Sequence, residues 1–158
     1  MLLRAILAGT VVSSMLGLPT MRPSTPAACT LVTAQEATTA AGAAVTLAPD
    51  VSVTSPNCEY YGAGGPAALA VAIAMHAYAD DAAAHAAFPK WVLPYPGPHP
   101  TLTVTAQQHI GDEASITRSR VSSGIFFRRG SVLVKIGVHP PVGDAALVVL
   151  AKKAVSRM

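Results

Sequence analysis

The chain predicts an α+β fold: an antiparallel sheet with helices packed on one face, a two-layer sandwich. Three observations lead there. Short segments with a large apolar residue at every second position follow one another with only turn residues between them, as neighbouring antiparallel strands do. Helical signals stand before, between and after those runs of strands, instead of alternating with single strands. Finally, about 130 residues remain once an apolar leader is set aside, enough for one domain with a core of its own.

The leader comes first. Residues Leu2 to Leu18 carry one charge, Arg4, and are otherwise mostly Leu, Ala, Val, Ile, Gly and Ser. A basic start, an apolar stretch and then small residues with prolines make the layout of a signal peptide, here residues 1–28. Thr10, Ser13 and Ser14 weaken it as a permanent membrane span, and a retained anchor is the competing outcome. The domain proper is then 29–158. Cys29 and Cys58 are the only cysteines, and two thiols behind an export-type start read as one disulfide in an oxidising compartment. The alternative is a lipidated Cys29. Pro26 occupies the place where an aliphatic residue is expected for that modification, and acylation leaves Cys58 without a partner.

Thr33 followed by Glu36 is a capping box that opens a helix through Ala41, with Gly42 as its stop. Val45-Thr46-Leu47 is a short strand, Cys58 to Tyr61 a second one, and Gly62 to Gly65 a turn. Pro66 to Met75 is ambiguous, because alanine favours helix. Leu69, Val71, Ile73 and Met75 alternate strictly, however, and a helix would scatter them, so a strand is expected. Asp80 or Asp81 caps a helix that ends at Pro89. Pro89 to Pro100 holds five prolines among Trp91, Tyr95 and His99 and reads as an extended connection. Thr101 to Thr105 is a strand, and Gly111 to Ala114 a turn into a strand over Ser115 to Val121. Ile125 to Arg128 and Ser131 to Val138 form a hairpin, with Val132, Val134, Ile136 and Val138 on one face and Leu133 and Lys135 on the other. A last helix starts at Gly143 or Asp144 with Leu147, Leu150, Ala151, Ala154 and Val155 along one stripe.

Cys29-Thr30-Leu31-Val32-Thr33, with Glu36-Ala37, then Cys58 with Tyr60, then Ile110-Gly111-Asp112-Glu113-Ala114, resembles a class of small exported bacterial envelope domains, often lipoproteins and mostly of unknown function. The likeness spans most of Cys29 to Met158 and departs at His109, where that pattern usually has glycine. It implies an envelope location and a disulfide, and it brings no catalytic residues with it.

Charge is segregated. Cys29 to Glu113 carries seven acids and Lys90 alone, whereas from Ala114 onward there are eight basic residues and Asp144 alone. The basic hairpin predicts that Arg118, Arg120, Arg128 and Arg129 cluster at a solvent-facing edge, where guanidinium forks suit an anionic envelope component. An exported protein excludes nucleic acid as partner, and it reaches a membrane only through an uncleaved leader or a lipidated Cys29. The Pro-rich segment with Trp91 and Tyr95 is a second surface that suits a partner protein.

Catalytic patterns are not apparent. The five histidines lack zinc-site spacing, so neither a metal nor a cofactor is expected. Ser122-Ser123-Gly124 is not a nucleophile elbow. Asp80-Asp81 and Asp112-Glu113 are explained by capping and turn formation. Gly62 to Gly65 lacks the Lys-Ser/Thr of a phosphate loop, and Cys29 and Cys58 are not a Cys-x-x-Cys pair. The sequence therefore points to an exported binding module that is not an enzyme. A carrier with a pocket between sheet and helices, or a hydrolase with a site assembled from scattered residues, are the alternatives.

Overall fold

A computed structural model describes residues 26–49, 55–93 and 102–158. The leader up to residue 25 and the proline-rich stretch from 94 to 101, with Tyr95 and His99, lie outside the described residues.

The fold is α+β: the described residues form four helices on an antiparallel sheet of seven strands in the order β1-β2-β3-β7-β6-β5-β4. Strands β1 (Thr46–Leu47), β2 (Asn57–Tyr61) and β3 (Leu69–Ala77) make one meander. Strands β4 (Thr103–Gln107), β5 (Glu113–Arg118), β6 (Ser123–Arg129) and β7 (Val132–Val138) make another. The two join where β3 pairs with β7, from Val71 opposite Val138 to Ala77 opposite Val132.

Three helices cover one face: α1 (Ala28–Leu31), α2 (Ala34–Ala41) and α4 (Asp144–Val155). Alternation selects the strand residues that meet them, Val71, Ile73 and Met75 from β3, Val134 and Ile136 from β7, Ile125 and Phe127 from β6, all buried. Period-2 placement thus decided the Pro66–Met75 question in favour of strand, although a short 3-10 turn, Gly65–Ala68, precedes β3. Thr33 caps α2 as the sequence predicts. Its hydroxyl accepts from the Glu36 N–H, the Glu36 carboxylate accepts from the Thr33 N–H at 2.9 Å, and Gly42 closes the helix at φ +71°. The short α1 has no counterpart in the sequence analysis. It carries Cys29, whose disulfide to Cys58 on β2 is present, with Cα atoms 5.1 Å apart.

The fourth helix, α3 (Asp81–Val92), lies on the opposite face and adds a local third layer to the sandwich. Asp80 caps it by accepting from the Ala83 N–H at 2.7 Å. The sequence ends this helix at Pro89; the structure carries it one turn further. Ala84, Phe88 and Val92 form an i, i+4 stripe that buries against Phe126 and Leu133. That burial, worth about 1.5–3 kcal/mol for each large side chain, offsets the backbone hydrogen bond that proline cannot donate, which costs roughly 3 kcal/mol in a helix interior. The last turn is closed by the Leu93 N–H donating to the Pro89 carbonyl at 3.0 Å.

Two strand boundaries also shift. β4 extends to Gln107, two residues past its expected end at Thr105, and β5 ends at Arg118 instead of reaching Val121. There Ser119 turns the chain: its N–H donates to the Ser122 carbonyl at 2.8 Å, and its hydroxyl accepts from the N–H groups of Val121 and Ser122.

Candidate functional site

The four arginines singled out by charge do not form a surface patch. Arg128, on the α3 face of β6, is only 7% exposed. Its Nε donates to Glu113 Oε1 at 2.5 Å, and its Nη1 reaches the Asp81 carboxylate, Asp112 Oδ2 at 3.3 Å and the Gly130 carbonyl at 2.9 Å. Burial alone pulls its pKa down, but the hydrogen bonds to Glu113 and Asp81 more than reverse this, and the guanidinium is held above its ordinary value. Arg118 and Arg129 project from the other face at opposite ends of the β5–β6 pair and hold the two ends of α4. Arg118 donates to the Val142 carbonyl at 2.8 Å and pairs with Asp144 in the first turn, while Arg129 donates to the Val155 carbonyl at 3.1 Å in the last. Arg120 sits exposed in the β5–β6 turn. The expected clustering of the four arginines at one edge is therefore corrected: Arg118, Arg128 and Arg129 each serve internal partners.

The same network explains the Gly111-Asp112 turn. Gly111 has φ +57°, and a Cβ there would stand 2.2 Å from the Arg128 carbonyl oxygen. Only glycine lets the loop come so close. The Asp112 N–H donates to that carbonyl at 2.8 Å, and its carboxylate accepts from the Gly130 N–H at 2.7 Å, which ties the turn to the β6–β7 hairpin. His85 Nδ1 lies 2.9 Å from Glu113 Oε1 at the rim of the cluster. His76 packs edge-on to Tyr78 and near Trp91, at ring separations of 4.5 and 6.1 Å. Among the described residues no group of three His, Cys, Asp or Glu side chains is placed to hold a metal ion.

A further concavity lies elsewhere, between α2 and α4. It is an open groove of about 640 Å³. Ala40, Ala145, Ala146, Val149 and Leu150 make its apolar walls, and Val149 is 53% exposed there. Toward the start of α2 and the end of α4 the lining becomes polar, with Thr33, Glu36, Lys153 and Arg157. Glu36 is gripped by Arg157 through both carboxylate oxygens at 2.7 Å, accepts from the Thr33 N–H, and stands 3.2 Å from Lys153 Nζ. Arg157 also donates to the Leu31 carbonyl at 2.6 Å, locking α4 onto α1. Two cations thus share one carboxylate, and the Lys153 side chain remains half exposed. Hydrogen bonds from Arg157 hold the Glu36 carboxyl far below the usual carboxylate range, outweighing the opposing effect of burial. Nearby, burial pushes the Tyr60 phenol up, with the Glu36 charge adding to the effect; its hydroxyl donates to the Val32 carbonyl.

Sequence reasoning found Thr33 and Glu36 as a cap only. That they also floor a groove depends on α4, more than a hundred residues away along the chain.

A scan against protein-family models finds no match, and a search of curated proteins finds none either. The Cys29–Cys58 disulfide is compatible with an oxidising, exported location, and no helix among the described residues is long and apolar enough to cross a membrane.

Proposed function

We propose that the protein is an exported envelope binding module whose ligand is an amphipathic anion, an aliphatic chain ending in a carboxylate or a phosphate, seated in the α2–α4 groove. The observation that carries this reading is the pairing of an apolar wall with surplus positive charge: Lys153 and Arg157 face a single carboxylate, Glu36, at the polar end of the groove. An aliphatic body would lie along Val149, Leu150 and Ala40 while its anionic head meets the half-exposed Lys153 ammonium. The disulfide, the signal-like leader and the resemblance to exported bacterial domains support the envelope setting.

Calorimetric titration with decanoate, decyl phosphate and decanol tests it. The anions should bind more tightly than the alcohol, with affinity falling as salt rises. Lys153→Gln should weaken anion binding by about tenfold, the loss of one charge-assisted hydrogen bond. A preference for decyl phosphate over decanoate assigns the head group to a phospholipid source, and the reverse assigns it to a fatty acid. Equal binding of decanol and the two anions, or no binding of either anion, overturns the proposal.

A further inference from the structure

We infer that β4 is a docking edge for a second copy of this chain, paired antiparallel about a two-fold axis at Thr105. β4 ends the sheet, with β5 as its neighbour among the described residues, and Thr103 to Ala106 are exposed on both faces of the strand. A terminal strand turns half of its backbone N–H and C=O groups outward, ready to pair with another strand. Proteins that stay apart blunt such an edge with a lysine, a proline, a bulge or a very short strand. Thr103-Val104-Thr105-Ala106-Gln107 has none of these: it carries no charge and no proline, and its register with β5 is unbroken over five pairs.

The strand is also complementary to itself. A two-fold at Thr105 places Thr105 opposite its own copy, Val104 opposite Ala106, and Thr103 opposite Gln107. One face of the junction then carries only the apolar Val104 and Ala106 side chains, with Val104 now 41% exposed. The other carries only hydroxyls and amides, and no like charges meet. The far edge of the sheet differs, since β1 has only two paired residues, Thr46 and Leu47. Growth from that side is disfavoured, so pairing through β4 is isologous and closes at two copies. No β4 residue lines the α2–α4 groove, so this edge is independent of the ligand proposed there.

Sedimentation equilibrium of the purified protein over a concentration series should show twice the monomer mass. Val104→Lys/Ala106→Lys should lower the mass twofold, because each lysine then faces the other across the junction. Both positions are exposed in the single copy, so circular dichroism should show the fold retained. Hydrogen exchange of the unaltered protein gives an independent check: alternate β4 amides should exchange more slowly at high concentration than at low. A monomer at the highest soluble concentration, or a double-lysine variant that remains a dimer, overturns the inference, as do β4 amides whose exchange ignores concentration.

Discussion

Arg157, at the end of α4, and Glu36, in the first turn of α2, meet in a two-pronged ion pair across 121 residues of chain, with both nitrogen–oxygen distances 2.7 Å. The pair sets an acid limit on stability. Glu36 has its pKa lowered from an ordinary 4.5 by Arg157, against the opposing effect of burial. A carboxyl depressed in the folded state contributes fully above its unfolded value and loses that contribution as pH falls toward the folded one. Stability from this pair should therefore be constant near neutrality and decline from about pH 4.5 downward. Glu36→Gln should cost about 1.5–3 kcal/mol at pH 7 and flatten part of the acid slope. Urea unfolding at pH 7, 5 and 3 measures both, and an unchanged slope in the variant would assign acid sensitivity to other carboxylates.

Thr33→Ala removes the side-chain half of the capping box at α2 while leaving the Glu36 ion pair in place. The expected loss is about 0.5–2 kcal/mol, read from the urea midpoint at constant m-value. No loss would mean that the α2 backbone is held by Arg157 and the disulfide alone.

Arg128→Met should be the most disruptive of the arginine substitutions, because Asp81, Asp112 and Glu113 would all lose their common cation. The carboxylates left behind are 24–67% exposed and can be solvated, so the expected cost is that of lost charge-assisted hydrogen bonds, about 1.5–3 kcal/mol. Arg128→Lys should recover only part of this, since one ammonium cannot reproduce the fork that reaches Glu113 through Nε and Asp81 through Nη1. Arg120→Ala, in the exposed turn, is the control and should stay within about 0.5 kcal/mol of the parent.

Gly111→Ala would need a left-handed residue and would press a methyl group on the Arg128 carbonyl. The conformation alone costs about 1–2 kcal/mol, and the contact adds to it because backbone cannot yield as a side-chain tip can. Gly130→Ala, also at positive φ but with open space around it, should show the conformational part only. The difference between their melting temperatures isolates the contact.

What was legible in the sequence was local. The α2 cap, the alternation of Val71, Ile73 and Met75, the β6–β7 hairpin and the α4 stripe each rest on residues within one element or one turn, so spacing alone specified them. What was illegible came from distant partners. Pro89 announced a helix end, but the stripe from Ala84 to Val92 found Phe126 and Leu133 to cover it. Charge counting grouped four arginines without seeing that Asp81 would arrive from α3 and Asp144 from α4. One signal was available. With the turn at Ser119–Ser122, strand register puts Glu113 directly opposite Arg128, an ion pair readable from the hairpin alone. The groove had no such signal, because its two walls are set at opposite ends of the domain.

The β3–β7 ladder has a kinetic consequence. Every other described ladder joins strands adjacent in sequence, whereas this one brings residues such as His76 and Leu133 together across 57 positions. Closing so long a loop costs chain entropy before any contact rewards it. We expect the two meanders to assemble early and their zipping along β3 and β7 to be the slow event. Stopped-flow chevrons can show this. Ile116→Val, inside the second meander and so already packed at the barrier, should act mainly on the folding arm, while Ile136→Val, on the seam, should divide its effect between the folding and unfolding arms. A protein built this way has its speed of folding written into one pair of strands, and selection for fast maturation would act there first.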